Sequence, residues 1–77
     1  MRLTIVPSDR IVLIDGVAKF DIDLSFCPPE VHAVQWYGTF GWVEFKENYD
    51  TLEKAPNQRI EDLGIYQQAI DAWNNAP

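Results

Sequence analysis

The chain has 77 residues, of which twelve are acidic and six are basic, so its formal net charge at pH 7 is −6. This length leaves room for one hydrophobic core, and we expect residues 1–77 to form a single domain. The excess of acid argues against nucleic acids and anionic membrane surfaces as partners, because both bind Lys and Arg clusters. The apolar fraction of 47% argues against a disordered chain.

The first residues predict a β-hairpin. Leu3–Val6 is β-prone and ends at Pro7, which cannot donate to a strand ladder. Ile11–Ile14 and Val17–Phe20 then flank Asp15-Gly16. Asp-Gly between two apolar runs is a strong hairpin signal, because a type I′ turn needs a positive φ at both central residues.

Alternating residues predict a further strand after this hairpin. A period of two places one set of side chains on the core and the other in water. The two prolines that follow Cys27 end the strand. The inward set is Phe20, Ile22, Leu24 and Phe26, and the outward set is Asp21, Asp23 and Ser25.

A second hairpin is predicted from Val31–Tyr37 and Trp42–Lys46, joined through Gly38–Gly41. The polar stretch Glu47–Asn57 is predicted to be a loop, and Arg59–Glu61 a short extended segment. In this second hairpin we assign Val34, Trp36, Val43 and Phe45 to the core, which turns Tyr37 and Trp42 outward and leaves Phe40 at the turn.

The end of the chain changes to a helical period. Its apolar residues fall on one stripe of a 3.6-residue helix that is too short to be stable alone and must pack on the sheet. Asp62 is the expected N-cap or first-turn acid, and Asn74, Asn75 and Pro77 end the helix. The stripe consists of Ile65, Tyr66, Ala69, Ile70 and Trp73.

These elements predict an α+β fold: a small antiparallel sheet of four to five strands with one C-terminal helix packed on it. Trp73, Ile70 and Tyr66 should share a core with sheet residues. A β-barrel without a helix, followed by a tail, is the alternative architecture.

Candidate catalytic and metal-binding residues are sparse. His32 is the only histidine, and Asp21 and Asp23 are more simply read as the solvent face of a strand. Cys27 is the only cysteine and is expected to be buried rather than reactive. We therefore expect no catalytic residues, no metal site and no cofactor, and a protein that is not an enzyme.

The segment Val31–Phe45 resembles a family of small proteins that tailed bacteriophages and prophages encode, often among tail-fibre and tail-assembly genes. The central hairpin, with Trp36 and Trp42, is its most specific part. The resemblance also covers Leu3–Asp9, Asp15–Val17, Asp23–Ser25, Asn57–Leu63 and the residues Tyr66, Ala69, Ala72 and Trp73.

The resemblance implies a non-catalytic role in a phage tail module, as a tail assembly chaperone or a small virion accessory protein. Its partner would be a phage tail or tail-fibre protein. The alternative is a phage inhibitor of a host defence system, similar in kind to an anti-CRISPR, whose acidic surface binds a host defence protein. In either role we expect the protein in the host cytoplasm, and a virion accessory protein would also enter the particle.

The predicted partner-binding residues lie on the second hairpin. Tyr37, Phe40 and Trp42 supply exposed aromatic side chains, which dominate binding hot spots in protein interfaces. Glu44 and Glu47 are expected to form an acidic rim that steers a basic partner.

The C-terminal helix can cover only one face of the sheet. If it packs on the Trp36 face, these aromatic residues stay open for binding. The alternative is that it covers Tyr37 and Trp42, and the binding face is then on the Asp21/Asp23 side.

Overall fold

The structure, a computed structural model, describes all 77 residues. Two 3-10 turns accompany the regular elements, at Pro7–Asp9 and at Gly64–Tyr66. The strands are β1 Leu3–Val6, β2 Ile11–Ile14, β3 Val17–Lys19, β4 Val31–Trp36, β5 Gly41–Phe45, β6 Glu47–Asn48, β7 Glu53–Lys54 and β8 Gln58–Ile60, and the helix α1 is Gln67–Asn75.

Six of the strands form one antiparallel sheet in the order β3-β2-β1-β4-β5-β8. The α+β fold with one C-terminal helix is confirmed, with six strands in the sheet instead of four to five. β6 and β7 form a separate two-stranded hairpin inside the stretch that was predicted to be only a loop. The helix α1, with nine residues, is too short to span a membrane.

Both predicted hairpins are present. Asp15 and Gly16 have φ values of 49° and 84°, as a type I′ turn requires. In the second hairpin Gly38 has a φ of 105°, and the Tyr37 amide donates to the Phe40 carbonyl at 2.8 Å. Thr39 is the other central residue of this turn.

One face of the sheet, the inner face, forms the core together with the helix and the segment that follows β3. Trp36 is only 6% exposed, and Ile70, Trp73 and Phe45 are partly buried against the same core. The expected contact of the helix stripe with the sheet is confirmed. The thirteen core residues are Leu3, Ile5, Val12, Ile14, Ile22, Leu24, Cys27, Val31, Val34, Trp36, Val43, Tyr66 and Ala69.

The opposite face, the outer face, has no second layer. Ala33 lies on it and is buried, yet it is not part of the core cluster. The helix and the segment after β3 place their core residues against the inner face. By strand pairing, the outer face carries Thr4, Val6, Ile11, Leu13, Ala18, Ala33, Gln35, Trp42, Glu44 and Arg59.

The predicted strand at Phe20–Phe26 is wrong. Ile22 and Leu24 are buried as expected, but Phe20 is 64% exposed and the segment pairs with no strand. Asp21 has a φ of 58°, which breaks the extended run. Asp23 Oδ1 instead accepts a hydrogen bond from the Ser25 amide at 3.0 Å, and this bond is the first cause of the lowered pKa of Asp23.

The helix begins later than its stripe predicts. A 3-10 turn precedes it, so Ile65 is 47% exposed while Tyr66 and Ala69 are buried. Asp62 is not its N-cap: the cap is Tyr66, which makes no side-chain capping bond, and the first turn holds no acid. The helix ends at Asn75, within the predicted terminus.

Candidate protein-binding surface

The outward side chains of the second hairpin form one cluster, here called the aromatic surface: Tyr37, Phe40 and Trp42. Tyr37 and Phe40 flank the turn directly opposite each other, with ring centroids 5.3 Å apart and an interplanar angle of 33°. Trp42 follows two residues later on the same face and is partly buried. Tyr37 is 46% exposed. The structure therefore brings together the three aromatic residues that the sequence analysis selected.

Arg2 holds one end of the aromatic surface. Its guanidinium carbon lies 4.2 Å from the centroid of the Tyr37 ring. Nη2 donates to Gln35 Oε1 at 3.0 Å, and Nη1 donates to the Leu3 and Trp36 carbonyls. Because these bonds run to both β1 and β4, Arg2 is fixed across the seam between the two strands.

Arg59 holds the other end. Its guanidinium carbon lies 4.2 Å from the Phe40 ring centroid and 5.9 Å from that of Trp42, which is its direct partner across β5 and β8. Nε pairs with Glu61 Oε1 at 2.8 Å. The two terminal nitrogens of Arg59 make no hydrogen bond within the chain. Arg59 is thus stacked in place while the end of its guanidinium remains free to bind.

The two predicted acidic residues lie in different places. Glu44 is on the outer face of β5, two residues beyond Trp42, and is partly buried opposite Ala33. Glu47 is in β6 and lines a groove that contains none of the aromatic surface. The charges in direct contact with the rings are the two guanidiniums.

Sequence reasoning missed Arg2 and Arg59. Alternation alone puts Arg2 on the same face as Thr4, because Leu3 points inward. Its ring partner, Tyr37, directly follows β4, however, and the pairing of β1 with β4 is needed to bring the two residues together. The sequence predicts an extended segment at Arg59–Glu61, but nothing in it identifies β5 as the neighbour of that segment.

A shallow open groove of about 970 Å³ lies beside the β6–β7 hairpin. His32 is exposed in it, at the irregularity where the β4–β5 register shifts. No group of three His, Cys, Asp or Glu side chains is placed to hold a metal ion. Cys27 is buried, and this burial raises the pKa of its thiol. The groove is lined by Ser8, His32, Phe45, Lys46, Glu47, Asn48, Tyr49, Asp50 and Lys54.

No protein-family model matches this chain, and neither a curated protein nor a solved structure does. The resemblance to phage tail proteins therefore stays a prediction, based on the residues of the hairpin and the segments around it.

Proposed function

We propose that this chain is a phage-encoded, non-catalytic protein-binding module that acts as a tail assembly chaperone or a small virion accessory protein. Its partner is a phage tail or tail-fibre component, bound through the aromatic surface. The observation that carries the binding site is the cluster of three aromatic rings, held between two arginines on a sheet face without a second layer.

The composition of this cluster is typical of a binding site. Tyr, Trp and Arg are enriched among the residues that dominate interface energetics, and they lose little side-chain entropy when already stacked. Arg2 and Arg59 are stacked on the rings in the free protein. A partner would therefore meet a preformed surface whose apolar part is not needed for the core.

Charge near the surface would steer the encounter. Glu44 lies along the same strand as Trp42, and Arg2 and Arg59 lie on the rings. Charge pairs with a partner are screened by salt, since the Debye length falls from about 10 Å at 0.1 M to about 3 Å at 1 M. We expect association to weaken as the salt concentration rises.

The test is affinity capture from phage-infected cells, with the phage structural proteins quantified by mass spectrometry. We expect a tail or tail-fibre protein to be retained by the native chain and lost with Trp42→Ala, a cost of at least about 2 kcal/mol in binding. Tyr49→Ala is the matched control, because Tyr49 is an aromatic residue that is 89% exposed at the β6–β7 hairpin.

Two outcomes would overturn the proposal. Retention of the same tail protein by Trp42→Ala would remove the aromatic surface as the site. Loss with Tyr49→Ala alone would move the contact to the β6–β7 hairpin.

The second candidate, an inhibitor of a host defence system, is favoured by the net charge of −6. Asp21 and Asp23 are exposed away from the sheet, and such carboxylates can occlude a surface that binds nucleic acid. Neighbouring genes discriminate the two candidates. Adjacent tail genes favour assembly, whereas an adjacent helix-turn-helix regulator favours inhibition.

A further inference from the structure

We propose that the partner adds an extended segment to the free edge of β8 and places a carboxylate side chain opposite Arg59. This inference rests on the proposed function, because it names the chemistry of the partner that the aromatic surface would bind. In the sequence, Glu44 and Glu47 predict a basic partner. At the edge of β8 we expect an acidic side chain of the partner instead.

The two edges of the sheet differ in their protection. At the β3 edge the charged Lys19 points inward, and its ammonium donates to the carbonyls of Trp73 and Ala76. Trp73 Nε1 also donates to the Val17 carbonyl at 3.1 Å. Inward charges and covering segments are devices that block strand addition. β8 pairs only with β5, and no strand lies on its other side.

Hydrogen-bonded and non-hydrogen-bonded residue pairs alternate along the second hairpin. This alternation shows which backbone amides and carbonyls face the free edge of β8. The bond from the Tyr37 amide to the Phe40 carbonyl makes these two residues a hydrogen-bonded pair. Antiparallel pairs alternate, so Gln35 and Trp42 are bonded to each other. Trp42 therefore directs its amide and carbonyl toward β4.

The same alternation continues across β5. Gly41 and Val43 direct their backbone groups toward β8, where they pair with Ile60 and Gln58. Arg59 lies between these two bonded positions and directs its own amide and carbonyl away from the sheet. An added antiparallel strand would exchange two hydrogen bonds with Arg59 and form a bonded pair with it.

The side chain of Arg59 indicates which residue fits at the opposite position. A residue in a bonded pair has its Cα about 5.5 Å away, with its side chain on the same face. Its neighbour would be a guanidinium that is stacked on Phe40 and Trp42 and whose terminal nitrogens are unpaired. A carboxylate accepts both of these donors in the fork geometry that Arg prefers.

The neighbouring positions limit the length and the pattern of the added segment. β8 has only three residues, Gln58–Ile60, so the edge that it offers to a partner is short. Ile60 is partly buried on the inner face, so apolar side chains suit the positions on either side of the carboxylate. The predicted ligand is a segment of about five residues with a central acid between apolar residues.

The experiment uses the full chain labelled with ¹⁵N and the synthetic peptide acetyl-Thr-Val-Glu-Val-Thr-amide. We expect saturable shifts of the Gln58, Arg59 and Ile60 amide signals. The peptide with Lys in place of Glu should bind about tenfold more weakly, because it places like charges opposite each other. N-methylation of the central Glu should abolish binding, because it removes the donor to the Arg59 carbonyl.

A charge reversal supplies the matched variants. Arg59→Glu should bind the Lys peptide better than the Glu peptide, whereas Lys54→Glu, an equal change of charge on another exposed strand, should keep the native preference. The inference is overturned by equal binding of the two peptides, by binding of the N-methylated peptide, or by the absence of saturable shifts along β8. If Trp42→Ala still releases the tail protein in that case, the proposed function stands and only the edge is wrong.

Discussion

Lys19 and Trp73 are joined in two ways: the ammonium nitrogen lies 4.1 Å from the Trp73 ring centroid and donates a 2.8 Å hydrogen bond to the Trp73 carbonyl. The same nitrogen donates to the Ala76 carbonyl at 2.9 Å. The last carbonyls of a helix have no partner within the helix, and a cation near them also compensates the helix dipole. One strand residue thus fixes the end of α1 to the edge of the sheet.

Replacing this lysine should loosen the helix. We expect Lys19→Met to lower the free energy of unfolding by about 1–2 kcal/mol, because it removes two charged hydrogen bonds and a cation–π contact but keeps the aliphatic stem. Urea denaturation followed by fluorescence measures this loss. Lys54→Met, at an exposed lysine without a hydrogen bond, should change stability by less than about 0.5 kcal/mol. Equal effects of the two substitutions would contradict the role of Lys19.

A glycine in the second hairpin should not tolerate a side chain. A Cβ at Gly41 would clash with the Gln35 carbonyl oxygen and lie 2.9 Å from Trp36 Cε3. We expect Gly41→Ala to destabilise the fold by about 1–3 kcal/mol, the range for overpacked positions. Gly16→Asn is the control, since this position is open and Asn tolerates positive φ. A Gly41→Ala midpoint equal to that of Gly16→Asn would contradict the close packing of Trp36.

The hairpins could be predicted from the sequence because their signals are local. Asp15-Gly16 specifies its turn, and alternation correctly turned Trp36 and Val43 inward. The same rule failed after Lys19. Ile22 and Leu24 alternate with polar residues as they would in a strand, yet their burial is achieved by an irregular segment. Periodicity reports which side chains are buried, but it does not show whether the backbone has a partner strand.

For a related reason, the sequence predicts the three rings of the aromatic surface but not the two arginines that contact them. Its rings are close in sequence, so alternation placed them on one face. Arg2 and Arg59 reach those rings through pairings between strands that are far apart in the chain. No local signal specifies that β8 follows β5 in the sheet. The sequence therefore predicts acidic side chains beside the rings, whereas the order of the strands places two arginines on them.

Stability should fall at alkaline pH. Burial raises the pKa of the Cys27 thiol above its ordinary value. Burial, followed by the charges of Cys27 and Glu30, raises the pKa of Tyr66 above its ordinary value. Both groups lose a proton more easily in the unfolded chain than in the folded one. Their contribution to folding stability is therefore present below the ordinary pKa values of the unfolded chain and is lost as the pH rises through the folded pKa values. Denaturation midpoints should decline above about pH 9.

The double variant Cys27→Ser, Tyr66→Phe should flatten this decline, because neither new side chain ionises in the range. Each substitution also costs some stability at neutral pH, so the slope against pH is compared rather than the midpoint. An unchanged slope would show that other groups cause the alkaline loss.

The residues that most resemble a catalytic set should be dispensable. Replacing His32, Asp21 and Asp23 together with Gln, Asn and Asn should leave binding and fold intact, since all three are exposed and no metal-binding group contains them. Circular dichroism and the affinity capture described above measure the two properties. A folded triple variant without function would contradict this prediction. It would point either to a metal-dependent or acid–base role, or to the second candidate function, whose acidic surface contains Asp21 and Asp23.

The three tryptophans should separate stability from binding. Trp36 lies in the core, Trp73 is partly buried and donates to Val17, and Trp42 lies under Arg59 on the outer face. Truncation of Trp36 to Ala should cost about 3–5 kcal/mol and that of Trp73 about 3 kcal/mol. In a domain whose total stability is about 5–15 kcal/mol, either loss leaves little.

Trp42→Ala should cost the least stability, because its ring has no second layer above it, and it should cost the most binding. Denaturation curves measured on the three variants test the predicted order of stability losses, and capture yields test the predicted order of binding losses. A Trp42→Ala variant that unfolds as readily as Trp36→Ala would mean that the outer face carries core packing and that the partner binds elsewhere.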